Sequence, residues 1–189
     1  MEFRPLEDTK DIGEAFIARF TLPWEEFQLE MKEFIIKMEE KNHPVDFDFY
    51  EQSLFWDRMG PKYPYGSMEE ALAFLRGHSG SVYFMGEKGE DDPWRVRRIV
   101  DFIAEADAHM LAHKIEQEWY NSYRLAMKNM YDPNAILPED LYVFDSTMSW
   151  CVVFTHETTD WEHELDDPMK AAESRVCIIC KDKIKGDVK

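Results

Sequence analysis

The sequence predicts an α+β fold, with a helix-rich N-terminal two-thirds packed on a small, mostly antiparallel C-terminal sheet. Three observations lead there. Apolar residues recur every three or four positions from Trp24 to Met38, and again from about Trp94 to Tyr131, the spacing of a helix with one buried face. From Leu141 onward the pattern changes to short runs rich in β-branched and aromatic residues. A short polar segment joins the first two of those runs, as a hairpin requires. The 189 residues contain no repeat, low-complexity tract or linker. The chain therefore reads as a single domain over 1–189, helical over about 14–131 and strand-forming over about 141–181.

Each element has its own signal. Thr21 and Pro23 mark a helix start, and Glu25 and Glu26 favour its first turn through the helix dipole. Trp24, Phe27, Met31, Phe34 and Met38 form its stripe, which fades near Asn42 and stops before Pro44. A second helix is expected from about Asp46 to Arg58, with Phe47, Tyr50 and Leu54 on one face. Gly60 to Gly66 is a loop punctuated by glycine and proline. Ser67 and Glu70 make a capping box for a helix that carries Met68, Leu72 and Leu75 and ends at Gly77. Ser81 to Met85 reads as a strand closed by Gly86, followed by an acidic loop over Glu87–Pro93. The helical pattern over about 94–131 would span roughly 55 Å if straight, so a bend or break is expected in it. Leu141–Asp145 and Trp150–Thr155 read as a hairpin, and Arg175–Cys180 as a third strand.

The composition combines a formal net charge of −17 with 44% apolar and 14% aromatic residues. Such a chain buries a core and still presents an acidic surface. The densest acidic stretch is Glu157, Asp160, Glu162, Glu164, Asp166 and Asp167, with no lysine or arginine inside it. Nucleic-acid affinity comes chiefly from neutralising phosphates with Lys and Arg. The charge therefore argues against direct nucleic-acid binding and against anionic membranes, and for a basic protein partner or a divalent cation. The first residues lack a basic and then apolar signal profile, and no apolar run approaches the roughly 20 residues of a membrane span. Three cysteines, an odd number, fit free or metal-bound thiols, and the expectation is a cytoplasmic protein.

Four groups of residues are candidates for chemistry or binding. His156, Glu157, Asp160, Trp161, Glu162, His163 and Glu164 leave the end of a strand, a common place for functional groups. Imidazoles and carboxylates together suit a divalent metal or acid–base work, with His156 and His163 as the metal ligands. The same residues, with Asp166 and Asp167, also suit an acidic binding surface or a solvated loop. Cys177 and Cys180 would complete a zinc set with the two histidines. On a strand, however, residues three apart point to opposite faces, so one thiol would be buried and the other turned away. Glu105, His109, His113 and Glu116 share one helix face, a chelating geometry on what should be solvated surface. Tyr63 and Tyr65, fixed by Pro61 and Pro64, are candidate interface anchors, or pack over the neighbouring helices. No Gly-rich phosphate loop and no Gly-x-Ser-x-Gly elbow is present.

The hairpin LYVFDSTMSWCVVFTHE resembles an element of small acidic bacterial proteins, in which a strand bearing a tryptophan runs into a Thr-His-Glu end. Here those residues are Trp150, Thr155, His156 and Glu157. The likeness covers about 17 residues and points to the toxin-immunity type, proteins that block a toxin by covering its active site. It implies an acidic inhibitory protein that neutralises a basic partner such as a toxin or nuclease, without a cofactor. The alternatives are a metal-dependent enzyme built on the His156/His163 loop, a nucleic-acid mimic, and a helical scaffold subunit that forms a homodimer through its apolar stripes.

Overall fold

The computed structural model describes residues 3–41, 54–59, 62–89, 98–126, 137–138, 140–158 and 175–181. In chain order the elements are β1 (Arg4–Pro5), α1 (Lys10–Phe20), α2 (Trp24–Glu40), β2 (Tyr65–Ser67) and α3 (Met68–Arg76). They continue with β3 (Ser81–Gly89), β4 (Arg98–Asp107), α4 (Ala108–Ala126), β5 (Leu141–Phe144), β6 (Cys151–Thr158) and β7 (Arg175–Cys180). The strands form one seven-stranded sheet in the order β1-β4-β3-β5-β6-β7-β2, with every described pairing antiparallel.

This overturns the expectation of a helix-rich two-thirds resting on a small C-terminal sheet. The largest departure is at 98–107, which the periodicity assigned to a long helix over about 94–131. That segment is β4, and it pairs with β3 from Ser81↔Asp107 to Gly89↔Arg98. Phe102, Ala104 and Ala106 face one side of the sheet and Ile103 the other, an alternation of two that alanines and a phenylalanine can mimic at helical spacing. Helix formation begins only at Ala108. There the Asp107 carboxylate accepts from the Met110 N–H at 3.0 Å, and the Ala108 N–H donates to Gly80 O at 3.0 Å. The helical part therefore does not run unbroken over 14–131.

The two faces of the sheet are both covered. On one, Met68, Leu72 and Leu75 of α3 and Leu111, Ile115 and Trp119 of α4 pack on Val82, Phe84, Val143, Val152 and Phe154. On the other, Phe16 and Phe20 of α1, with Phe55, Met59 and Tyr63, pack on Met85, Ile103, Tyr142, Phe144, Val153 and Ile178. Double coverage is why β5 and the first part of β6 read as continuous apolar runs rather than as alternating ones. It also settles the cysteines. Cys177 and Cys180 do point to opposite faces, but both faces are buried, so both thiols are inside. Cys180 lies opposite Cys151 across β6 and β7. Burial pushes the Cys177 thiol up to about 12, which makes it a poor metal ligand and a poor nucleophile.

Other segments follow or depart from the sequence for local reasons. The capping box forms as expected: Ser67 Oγ accepts from the Glu70 N–H at 3.2 Å, and Glu70 accepts from the Ser67 N–H at 2.8 Å. Ser67→Ala should cost about 1 kcal/mol of stability, measured as a lower urea midpoint with an unchanged slope. Tyr65 and Gly66, expected as loop, and the cap residue Ser67 add to the sheet edge as β2 by pairing with Val176–Ile178. Of the helix expected over 46–58, the described part is a turn in which Arg58 and Met59 N–H groups donate to Phe55 and Trp56 carbonyls. The β3 strand runs past Gly86, where the register shifts and an added Cβ would come within 3.0 Å of Pro138 and 3.1 Å of Phe102. The β5–β6 connection is organised by Asp145, which accepts from Thr147, Ser149 and Trp150. Burial alone would raise this carboxyl, but those donors outweigh it and hold it below its ordinary range.

Candidate functional site

Strand pairing creates the first half of the site. Leu141 lies opposite Phe154, so Asp140, one residue before β5, meets the far end of β6. Its carboxylate accepts from the His156 backbone N–H at 2.9 Å and sits 3.0 and 3.1 Å from His156 Nδ1. A carboxylate in that position favours the proton on Nδ1 and orients the ring. The other ring nitrogen, Nε2, faces Glu157 at 3.5 Å. The Asp140 side chain is 11% exposed, against 43% for His156 and 54% for Glu157, so the imidazole sits where a buried acid gives way to solvent.

The turn 54–59 supplies the second half, and a polar anchor in the core fixes it. The buried Tyr142 hydroxyl donates to Glu87 and accepts from the Trp56 N–H at 3.1 Å. Glu87 also accepts from the Phe55 N–H at 3.1 Å. Burial, with the Glu87 charge beside it, holds the Tyr142 hydroxyl well above its ordinary range, so it stays protonated and remains a donor. Held in this way, Trp56 stands edge-on to His156, with ring centroids 6.0 Å apart at 73°. The Trp56 indole N–H is buried with no hydrogen-bond partner among the described residues.

Asp57 is the next residue and completes the group. The Leu54 N–H donates to its carboxylate at 2.8 Å. Burial pushes its carboxyl up to about 6, and the Asp140 and Glu157 charges add to that shift. The Leu54 N–H and His156 oppose them without restoring the ordinary value. Tyr65 also feels Asp57: its hydroxyl is raised first by burial and then by that charge. Asp57, Asp140, His156 and Glu157 thus act on one another from three separate parts of the chain.

The sequence anticipated His156, Glu157 and Tyr65 and missed Asp57 and Asp140. Asp140 was within reach of hairpin arithmetic, since it precedes β5 directly opposite the Thr-His-Glu end. Asp57 had no local signal. Asp160, Trp161, Glu162, His163, Glu164, Asp166 and Asp167 lie outside the described residues. Tyr63 is not an exposed anchor. It is 2% exposed and packs beneath Phe20, whereas Tyr65 is 54% exposed. The Glu105/His109/His113/Glu116 face does not form as one unit: Glu105 belongs to β4, and Glu116 pairs with Arg76 at 2.7 Å. The zinc set of Cys177 and Cys180 with His156 and His163 is also excluded, because the thiols are buried on opposite faces of the sheet. Among the described residues, no group of three or more His, Cys, Asp or Glu side chains is arranged to hold a metal ion. Nor is any described helix long and apolar enough to cross a membrane. No protein-family model matches the chain, and neither a curated protein nor a solved structure shows significant similarity to it.

Proposed function

We propose that this chain is an acidic binding protein that neutralises a basic protein partner, as an immunity protein covers a toxin or nuclease. One observation carries the reading. Asp140 and Glu157 flank a single imidazole at 3.0 and 3.5 Å, and their charges reach Asp57, which burial already lifts to about 6. A partner lysine or arginine placed there would relieve the repulsion among these acids and lower the Asp57 carboxyl, so binding at or below about pH 6 would release a proton. Complementary charge would also speed the encounter and fix its orientation.

The test is capture of the partner from the native cell with washes graded in salt, followed by titration of the purified pair. Binding should weaken as salt rises. Asp57→Asn, Asp140→Asn and Glu157→Gln combined should weaken it by about tenfold or more, the scale of lost contacts to charged groups. Retention that is indifferent to both salt and this triple variant would overturn the reading.

The Asp140-oriented imidazole favours a second reading, a metal-dependent enzyme using the His156 loop. With Nδ1 turned to Asp140, Nε2 is the nitrogen a divalent cation would take, beside Glu157. Stoichiometric zinc, manganese or iron in the purified protein, lost on His156→Ala, would move the assignment there. Elemental analysis without such a metal removes this reading.

A further inference from the structure

Helix α2 carries apolar residues on two opposite sides. Phe27 and Ile35 are its buried residues, with Met31 and Met38 half-buried beside them. Leu29 and Ile36 are 63% and 55% exposed. Seven positions apart, at about 100° per residue, they fall roughly 20° from one another and on the side away from Phe27, Met31 and Met38. Glu25, Glu26, Lys32, Glu33, Glu39 and Glu40 are all exposed and lie within about 60° of one or other of that pair. The surface is thus an apolar pair one heptad apart, flanked by five acids and one base. Flanking charges of this kind choose the partner helix and its orientation.

A second copy of the chain fits this surface badly. An antiparallel two-fold that sets Leu29 on Ile36 of the other copy sets Glu25 on Glu40 and Glu26 on Glu39, two repulsive pairings against the one attractive pairing of Lys32 on Glu33. A parallel pairing sets each acid beside itself. Either way like charges meet, on chains that each carry −17 overall. A helix with basic flanks has the opposite sign at Glu25, Glu26, Glu33, Glu39 and Glu40 and a like sign only at Lys32.

We propose that the Leu29–Ile36 face of α2 docks an amphipathic helix of a partner, apolar at i and i+7 and flanked by lysine or arginine. The proposal rests on the reading of the chain as a binder of basic proteins and names a second contact surface for that partner. The probe is a dye-labelled Leu/Lys amphipathic peptide of about 18 residues, enough to match the length of α2. A Leu/Glu peptide of the same pattern is the control. Fluorescence anisotropy is read on the full chain and on two variants. One is Leu29→Ser with Ile36→Ser, which keeps every charge. The other is the Asp57→Asn, Asp140→Asn, Glu157→Gln triple variant, which keeps the α2 surface.

The Leu/Lys peptide should bind and the Leu/Glu peptide should not. The serine variant should weaken binding by about tenfold or more, and the triple variant by less than roughly threefold. Both substituted α2 positions are exposed, and far-UV circular dichroism confirms that the helix persists. Equal binding by the serine variant, no binding by the wild type, or equal binding of the Leu/Glu peptide overturns the docking face. So does an α2-dependent dimer in light scattering at micromolar concentration. Loss of peptide binding in the triple variant alone would remove α2 while leaving the strand-end cluster as the binding surface.

Discussion

Phe154→Ala should destabilise the fold by about 3–5 kcal/mol, a large share of the roughly 5–15 kcal/mol that holds a domain of this size together. Phe154 is fully buried in β6, the fifth of seven strands across the sheet. Its ring meets Trp119 of α4 edge-on, with centroids 5.0 Å apart at 70°. Trp119 in turn lies under the Arg175 guanidinium, which is 3.6 Å from its ring centroid, while Arg175 Nε donates to Thr155 O. Truncation therefore leaves a cavity and loosens a stack that ties α4 to β6 and β7. Urea unfolding should show a lower midpoint with an unchanged slope. A loss below about 1 kcal/mol would mean that α4 is not seated on β6 in this way.

Asp57→Asn should have the opposite sign at neutral pH. In the folded chain the Asp57 carboxyl is lifted from 3.8 to about 6, chiefly by burial and then by Asp140 and Glu157. The folded state thus holds this proton more tightly than the unfolded state does. Its contribution to stability is full below pH 3.8 and is lost as pH rises through about 6. Above that range the wild type carries an ionised, partly buried carboxylate at a cost of about 2–3 kcal/mol. Asparagine removes the charge and keeps an oxygen to accept from the Leu54 N–H. The variant should be more stable than wild type at pH 8 by about that amount, and close to it near pH 4. Parallel pH dependences of the urea midpoints for the two proteins would refute the placement of Asp57 among these acids. If stability rises as binding falls, the acids at this end of the sheet are maintained for their ligand and not for the fold.

Where the signal is local, sequence and structure agree. The α2 helix starts at Trp24 just after Pro23, the capping box opens α3, Arg175–Cys180 is a strand, and the 141–155 hairpin forms. The departures occur where a segment has no strong preference and a distant partner decides. At 102–106 the apolar residues suit either period, and pairing with β3 selects the strand. At 65–67 glycine and proline neighbours suggest a loop, yet the open edge of β7 recruits the segment. The site divides in the same way. His156 and Glu157 were visible as a strand end rich in functional groups. Asp57 was not, because 83 residues of chain separate it from Asp140 and nothing local links them.

The negative charge, the apolar content sufficient for a core, and the strongly patterned elements belong to the sequence alone, because they depend only on composition and on contacts between residues near in the chain. The extent of the sheet, the covering of both its faces, the pairing of Asp140 with His156 and the placing of Asp57 within reach of their charges were decided by tertiary structure. Each depends on hydrogen bonds and packing between segments tens of residues apart, which no short-range periodicity encodes.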